Sequence, residues 1–230
     1  VYAGIDYKEI LKKAEKEADV IIWDGGNNDL PFDYPNLHIV VVDPHRAGHE
    51  LLYHPGESNF RMADVFVINK IGTSNKENVK KVFDNIKKIN PKAKVIFAKS
   101  DIIVDKPWLI KNKRVLIVED GPTLTHGGMT YGAGSVAAKK YKAKSIIDAE
   151  RYAEKSIKKV YEEYDHLKKI LPAMGYGKKQ IKSLQKTINK SKCDVVIDGS
   201  PVNLLKLIKI NKEIVNVDYE LNEVGRLNLE

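Results

Sequence analysis

Several things are scarce in this sequence, and each scarcity removes a class of protein. A single cysteine, Cys193, stands among 230 residues, so no intramolecular disulfide can form, which fits a reducing cytoplasm. No apolar run approaches the roughly 18 residues of a membrane-spanning helix, so no membrane association is expected. Arginine is rare, five of the 39 basic residues, and aromatic side chains make up 8% of the chain. Nucleic-acid readers lean on bidentate arginine and on stacking platforms, so nucleic acid is not the expected partner. A fourth lack concerns chemistry: no G-x-x-x-x-G-K-[ST] occurs anywhere, and with it goes the glycine cradle that holds phosphates in P-loop enzymes. The chain also opens on Val1 without a methionine. The expectation is the distal part of a nucleotide enzyme whose front part lies on another segment or chain.

What is present describes a folded protein. Hydrophobic residues make up 43% and charged residues 30%, the balance of a globular chain with room for one large domain or two small ones. The net charge of +8 is unevenly spread: residues 139–192 hold 15 Lys and one Arg against six Asp or Glu, a local excess of +10. Such a block steers anions, although Lys-rich solvated helix faces give the same count. High Lys and Glu with one cysteine also fit a heat-adapted source.

Strand and helix patterns alternate. Asp6 with Glu9 opens a helix carrying Ile10, Leu11, Ala14 and Ala18. Residues 19–23 read as a buried parallel strand delivering Asp24 to its end, followed by Gly25 and Gly26. Residues 37–42 and 64–68 are further β-branched runs ending in Asp43-Pro44 and Asn69-Lys70. Ser74 and Glu77 form a capping-box pair before a helix whose Val79, Val82, Phe83, Ile86 and Ile89 share a face. Strands follow at 94–98 and 114–118, a glycine-rich loop at 120–134, and a helix around 135–141. A short strand at 145–147, helices near 150–164 and 178–190, and a final βαβ unit at 193–197, 201–208 and 214–219 complete the chain. The order predicts an α/β protein: a parallel sheet with flanking helices, like a P-loop NTPase but incomplete at its N-terminus. Residues 1–118 would be the distal part of that domain. Residues 119–230 would hold the glycine-rich loop and a C-terminal α/β part, either extending the same sheet or forming a small lobe.

The chemistry-bearing residues cluster where strands end. Asp24 is the candidate ligand for Mg²⁺, with a turn-forming Asp-Gly as the plain alternative. Asn69 and Lys70 resemble the N-K-x-D base reader of GTPases, but Gly72 stands where the guanine-reading Asp belongs. The stretch from Asp43 through His45, Arg46 and His49 to Glu50 is dense in ionisable groups. Its histidines, four apart, would share a helical face for a metal. Alternatively Arg46 and the histidines bind phosphate, with Arg61 joining them. In the loop beyond Glu119, Asp120 ends a strand, and Thr125, His126, Gly127 and Gly128 precede a helix, as an anion cradle does. Cys193 reads as a small core residue, and Asp198 with Ser200 as a helix cap or a phosphate contact.

The strings VIIWDGGNNDLPF, HIVVVDPHRAGHE, VFVINK and VEDGPTLTHGGMTYGAG, with LPAMGY and LIKINK, resemble the cyclic 2,3-diphosphoglycerate synthetase family, whose members are often labelled GTPases. The match covers the family's C-terminal portion, beyond its Walker A loop. The resemblance implies a P-loop-type ligase that uses ATP, or GTP, and Mg²⁺ to close 2,3-diphosphoglycerate into a cyclic anhydride. One substrate phosphate would be activated by phosphorylation, and the neighbouring phosphate would attack and expel the added group. By the same carry-over, Asp24 would serve Mg²⁺, and Asn69 and Lys70 would lie near the base. His45, Arg46, His49, Thr125, His126, Gly127 and Gly128, with Asp43, would meet the substrate or the transferred phosphate. The implied partners are an anionic phosphorylated small molecule and a P-loop-bearing segment or subunit, in a homo- or hetero-oligomer. Two other expectations stay open: a GTPase of regulatory or metallochaperone type, and a non-catalytic anion-binding or assembly module.

Overall fold

The computed structural model describes every residue except 27–28, 126–129, 168, 174–176, 202–203, 226 and 230. Two compact units emerge, Val1–Ser100 with Leu221–Glu230, and Asp101–Glu220. All the strand ladders within them described below are parallel, and helices lie between the strands, which is the expected α/β class. No described helix is long and apolar enough to cross a membrane.

The first unit opens with α1 (Tyr7–Ala14), capped as expected by the Asp6 side chain, which accepts from Glu9 N at 3.0 Å. Then come β1 (Ile39–Val42), α2 (Gly56–Met62), β2 (Val65–Ile68), α3 (Lys76–Ile89) and the start of β3 (Lys94–Val104). β2 lies between β1 and β3, in a register that pairs Val42 with Ile68 and Ile68 with Phe97. All four β2 residues are buried, which is why its sequence is continuously apolar instead of alternating. Phe60, Phe66, Ile68, Val82 and Ile86 form the centre of this core, and Val79, Phe83 and Ile89 of α3 pack around it. The cap of α3 sits one residue later than the Ser74–Glu77 pairing predicts. Thr73 N and Ser74 N both donate to Lys70 O, so Ser74 closes a turn, and Asn75 caps instead, accepting from Asn78 N at 2.7 Å.

The run 19–23 is the main departure. It forms no strand, and Val20, Ile21, Ile22 and Trp23 are all exposed. A β-branched run becomes a strand only where a neighbouring strand takes up its backbone groups, and no described strand pairs with it.

The second unit is built around β4 (Arg114–Asp120), whose Val115, Leu116, Ile117 and Val118 are fully buried. It continues through α4 (Gly121–Thr125), α5 (Ala133–Lys140), β5 (Ser145–Ile146), α6 (Lys155–Glu163), β6 (Leu171–Ala173), α7 (Lys178–Lys190), β7 (Val195–Gly199) and most of β8 (Glu213–Val224), whose last four residues belong to the first unit. The stretch expected as loop at 120–134 thus begins with a short helix. The LPAMGY segment begins as a strand, because Leu171, Pro172 and Ala173 are buried against β4. Where a helix is expected at 201–208, the described residues form one 3-10 turn, Leu204–Lys206.

β5 and β6 share one edge of β4, while β7 and then β8 lie on the other. The chain therefore leaves β4 in one direction and β7 in the opposite one. Such a reversal opens a crevice at the carboxyl ends of two adjacent strands, the place where open α/β sheets take ligands.

Candidate functional site

In the first unit, the pairing of Val42 with Ile68 puts the residues after β1 and β2 side by side, and Asn69 N donates to Val42 O at 3.1 Å. Asp43 and Lys70, separated by 26 residues of sequence, meet there: Lys70 Nζ lies 2.7 Å from Asp43 Oδ2. The other Asp43 oxygen accepts from His45 N at 3.0 Å, fixing a 3-10 turn over Pro44–Arg46. His45 Nε2 is 2.9 Å from Thr73 Oγ1, and Asn69 Oδ1 accepts from Lys70 N at 2.7 Å. Lys70 itself holds φ +56°, the left-handed region, which costs a non-glycine residue about 1 kcal/mol. Strain of this kind collects where a side chain must be aimed. The result is an ammonium, an imidazole and a hydroxyl held at the carboxyl ends of two adjacent strands.

Neighbouring candidates fall elsewhere. Gly48, with φ +108°, separates His49 from the turn that carries His45, so the two histidines do not share a helical face. His49 packs its ring edge-on to Tyr53, centroids 5.3 Å apart. Glu50 accepts from Gly48 N and from Asn85 Nδ2, both at 2.7 Å, and so holds the loop. Arg46 is half-buried on its turn. Arg61 is paired along α2 with Glu57 at 2.7 Å, so its charge is committed there. Asp24 lies in exposed, irregular chain rather than at a strand end.

In the second unit, the crevice between β4 and β7 is closed by a carboxylate. Glu119 is buried, and its Oε1 accepts from Ser135 N at 3.1 Å, in the first turn of α5. The helix start expected to cradle an external anion is therefore occupied by a carboxyl group of the chain itself. Burial pushes the Glu119 carboxyl up to about 7; backbone N–H groups of Ser135 and Gly134 oppose the rise, and the Asp198 charge adds to it. Three glycines make room: a Cβ at Gly199 would stand 2.6 Å from Glu119 Oε2 and 3.0 Å from Gly134 N, and one at Gly134 would stand 2.9 Å from Ile117 Cγ2. Gly132 lines the same carboxylate. Asp198, also buried and shifted upward by burial, accepts from Ser200 N at 3.0 Å, Ser200 Oγ at 2.6 Å and Leu204 N at 3.3 Å. It acts as the cap of the turn after β7.

Beside this carboxylate is a cleft of about 370 Å³ whose lining includes Ile117, Tyr131, Ser135, Ile146, His166 and Lys169. Ile117 and Glu119 lie on the same face of β4, and Ser135 borders the cleft while its N–H holds Glu119. His166 Nε2 is 3.3 Å from Leu124 O. The cleft thus combines aliphatic walls with an ammonium, an imidazole and hydroxyls. Thr125 turns its hydroxyl back on Gly121 O at 3.0 Å inside α4. Asp120 is half-buried at the end of β4, and His126, Gly127 and Gly128 lie outside the described residues.

The chain is 63% identical, over all 230 residues, to arginine synthetase ArcE of Thermococcus kodakarensis. It spans about half of that relative's length, 51%. The relative's name speaks of arginine and not of cyclic 2,3-diphosphoglycerate. No family model matches the chain.

Sequence reading picks out Asp43, His45, Asn69 and Lys70, and the fold brings all four together. It reads Asp198 with Ser200 as a cap or a phosphate contact, and the fold makes Asp198 a cap; it overlooks Thr73 and the burial of Glu119. The signal available for Glu119 is its two-residue step from Ile117, on the same strand face, combined with glycines at 132 and 134.

Proposed function

We propose that this chain is one part of a nucleotide-dependent synthetase that joins its substrates at the cost of a nucleoside triphosphate, with the phosphate cradle supplied by polypeptide outside residues 1–230. The observation that carries the reading is the strained Lys70, held by Asp43 beside His45 and Thr73 at the carboxyl ends of β1 and β2. An ammonium anchored by a carboxylate is already aimed and loses little freedom when it moves to a phosphate oxygen. His45, with a hydroxyl partner, is placed to hold or move a proton. The relative named as a synthetase supports the same class.

ATP is the proposed nucleotide, because the guanine-reading Asp is replaced by Gly72. Nucleotide-bound Mg²⁺ needs only one or two carboxylates, its other oxygens coming from phosphates and water. Asp24, exposed and followed by two glycines, suits that single-carboxylate role. No group of three or more metal-binding side chains occurs among the described residues. Bound there, the ion would neutralise phosphate charge.

Arginine is the substrate-side molecule that the relative's name favours, and the cleft beside Glu119 is the place proposed for it. Aliphatic walls match its methylenes, Lys169 offers a partner for its carboxylate, and a buried carboxylate stands behind Ser135. The second reading, closure of 2,3-diphosphoglycerate, draws on the motif resemblance and on the +10 excess over residues 139–192. The test combines the chain with the part of the Thermococcus kodakarensis protein that it does not span, together with ATP and Mg²⁺. Arginine-dependent nucleotide turnover, in either direction, supports the first reading. Conversion of 2,3-diphosphoglycerate to its cyclic form, read by phosphorus NMR, supports the second. Under either, Lys70→Ala lowers turnover about 100-fold, in line with loss of a charged phosphate contact. Faster turnover of GTP than ATP without either substrate would favour a GTPase. Anion binding without turnover in any combination would favour an assembly module.

A further inference from the structure

The first 41 residues hold 14 of the 27 large hydrophobic side chains that are exposed among the described residues, although they are under a fifth of the chain. They are grouped, not scattered. α1 buries none of its residues. Val20, Ile21, Ile22 and Trp23 run extended, with Ile22 87% exposed. Phe32 stacks on Tyr7 at 4.5 Å and meets Trp23 edge-on at 5.9 Å, so three aromatic rings pack on one another and not into a core. β1 pairs with β2 alone among the described strands, which leaves its other backbone edge open. Ile39 and Val41, two apart and therefore on one face of β1, are also exposed, Val41 at 63%, while both faces of β2 are covered.

Asn59 adds a polar mark to the same region. Its Nδ2 donates to Asp29 O at 2.8 Å, tying the segment to α2, yet its buried Oδ1 accepts from no group among the described residues. Such an acceptor costs about 1–3 kcal/mol until a donor arrives. Exposed apolar patches and open sheet edges of this extent mark a docking face.

We propose that this face, the free edge and outer face of β1 together with residues 20–26 and 29–37, docks the polypeptide corresponding to the half of the synthetase relative that this chain does not span. The docked part adds a parallel strand, apolar on both faces, and buries the 20–23 run. The occupant's identity rests on the synthetase reading above; the existence of the face does not. Two features favour this occupant over a second copy of the chain. The relative carries as much polypeptide again as is matched here. A strand added in parallel continues the β1-β2-β3 pattern, whereas a two-fold dimer joined edge to edge pairs its strands antiparallel.

The experiment measures association without turnover. The full chain is mixed with the separately expressed unmatched part of the Thermococcus kodakarensis synthetase and followed by sedimentation and hydrogen exchange. A one-to-one complex is expected, with exchange slowed at residues 20–23 and 39–42. Ile22→Asp and Val41→Lys, both at positions already exposed in the free chain, should each weaken it about tenfold or more. Trp108→Ser, at an exposed position in the second unit, should leave it unchanged. The proposal is overturned if no complex forms, if the two variants bind as well as the parent, or if these residues instead mediate self-association. A complex that forms as described but catalyses neither reaction leaves the docking face standing and removes the synthetase reading.

Discussion

Glu119 keeps its proton in the folded chain at a pH where an exposed glutamate has lost it. Its carboxyl stands at about 7 against an ordinary 4.5, because burial disfavours the charge more than the α5 N–H groups favour it. A folded value raised in this way fixes the sign. The stabilisation is fully present below about pH 4.5 and falls as pH rises, since the unfolded chain releases its proton first. The loss is complete once pH passes the folded value near 7 and amounts to roughly 3 kcal/mol. Glu119→Gln should remove that slope and be more stable than the parent at pH 8, as read from urea midpoints between pH 4 and 8. Asp194 works in the opposite direction. The Arg114 guanidinium, 2.8 Å away, holds it down to about 2, so its contribution is present above the ordinary aspartate range and is lost as pH falls toward 2.

At the scale of elements, the crevice between β4 and β7 depends on what is missing from three side chains. Gly199→Ala would drive a methyl group against Glu119 and against the backbone of Gly134 at once, and backbone cannot step aside. A loss of about 1–3 kcal/mol is expected in denaturant unfolding. The start of α3 offers a paired comparison. Asn75→Ala removes the hydrogen bond to Asn78 N and should cost about 1 kcal/mol. Ser74→Ala, one residue earlier, removes a buried hydroxyl that bonds to no group among the described residues and should be neutral or slightly stabilising. If the Ser74 variant were the more damaging, the capping residue would be Ser74 after all. Such shifts of one residue are beyond a sequence pattern, because the turn that decides them is closed by Lys70 O.

For the molecule as a whole, stability is distributed unevenly. β4 and β7 lie inside a large apolar cluster, whereas residues 1–37 contribute no buried side chain among those described. Limited proteolysis of the isolated chain should therefore cut first between residues 15 and 37 and last in β4 and β7. Protection of that stretch on adding the unmatched half of the relative would mark the docking face directly.

The sequence alone determined the alternation of strands and helices, the apolar face of α3, the parallel character of the sheets and the placing of Asp43 and Lys70 each at a strand end. These follow from local periodicity and from the rule that parallel strands carry their chemistry at the carboxyl end. That the two meet was decided by the pairing of β1 with β2. The sequence did not determine whether residues 19–23 form a strand, since that depends on a partner whose backbone must be alongside. Nor did it show that Glu119, rather than an outside anion, fills the start of α5. That choice belongs to tertiary structure, because only packing sets which carboxylate is taken out of water and which backbone N–H groups remain to hold it.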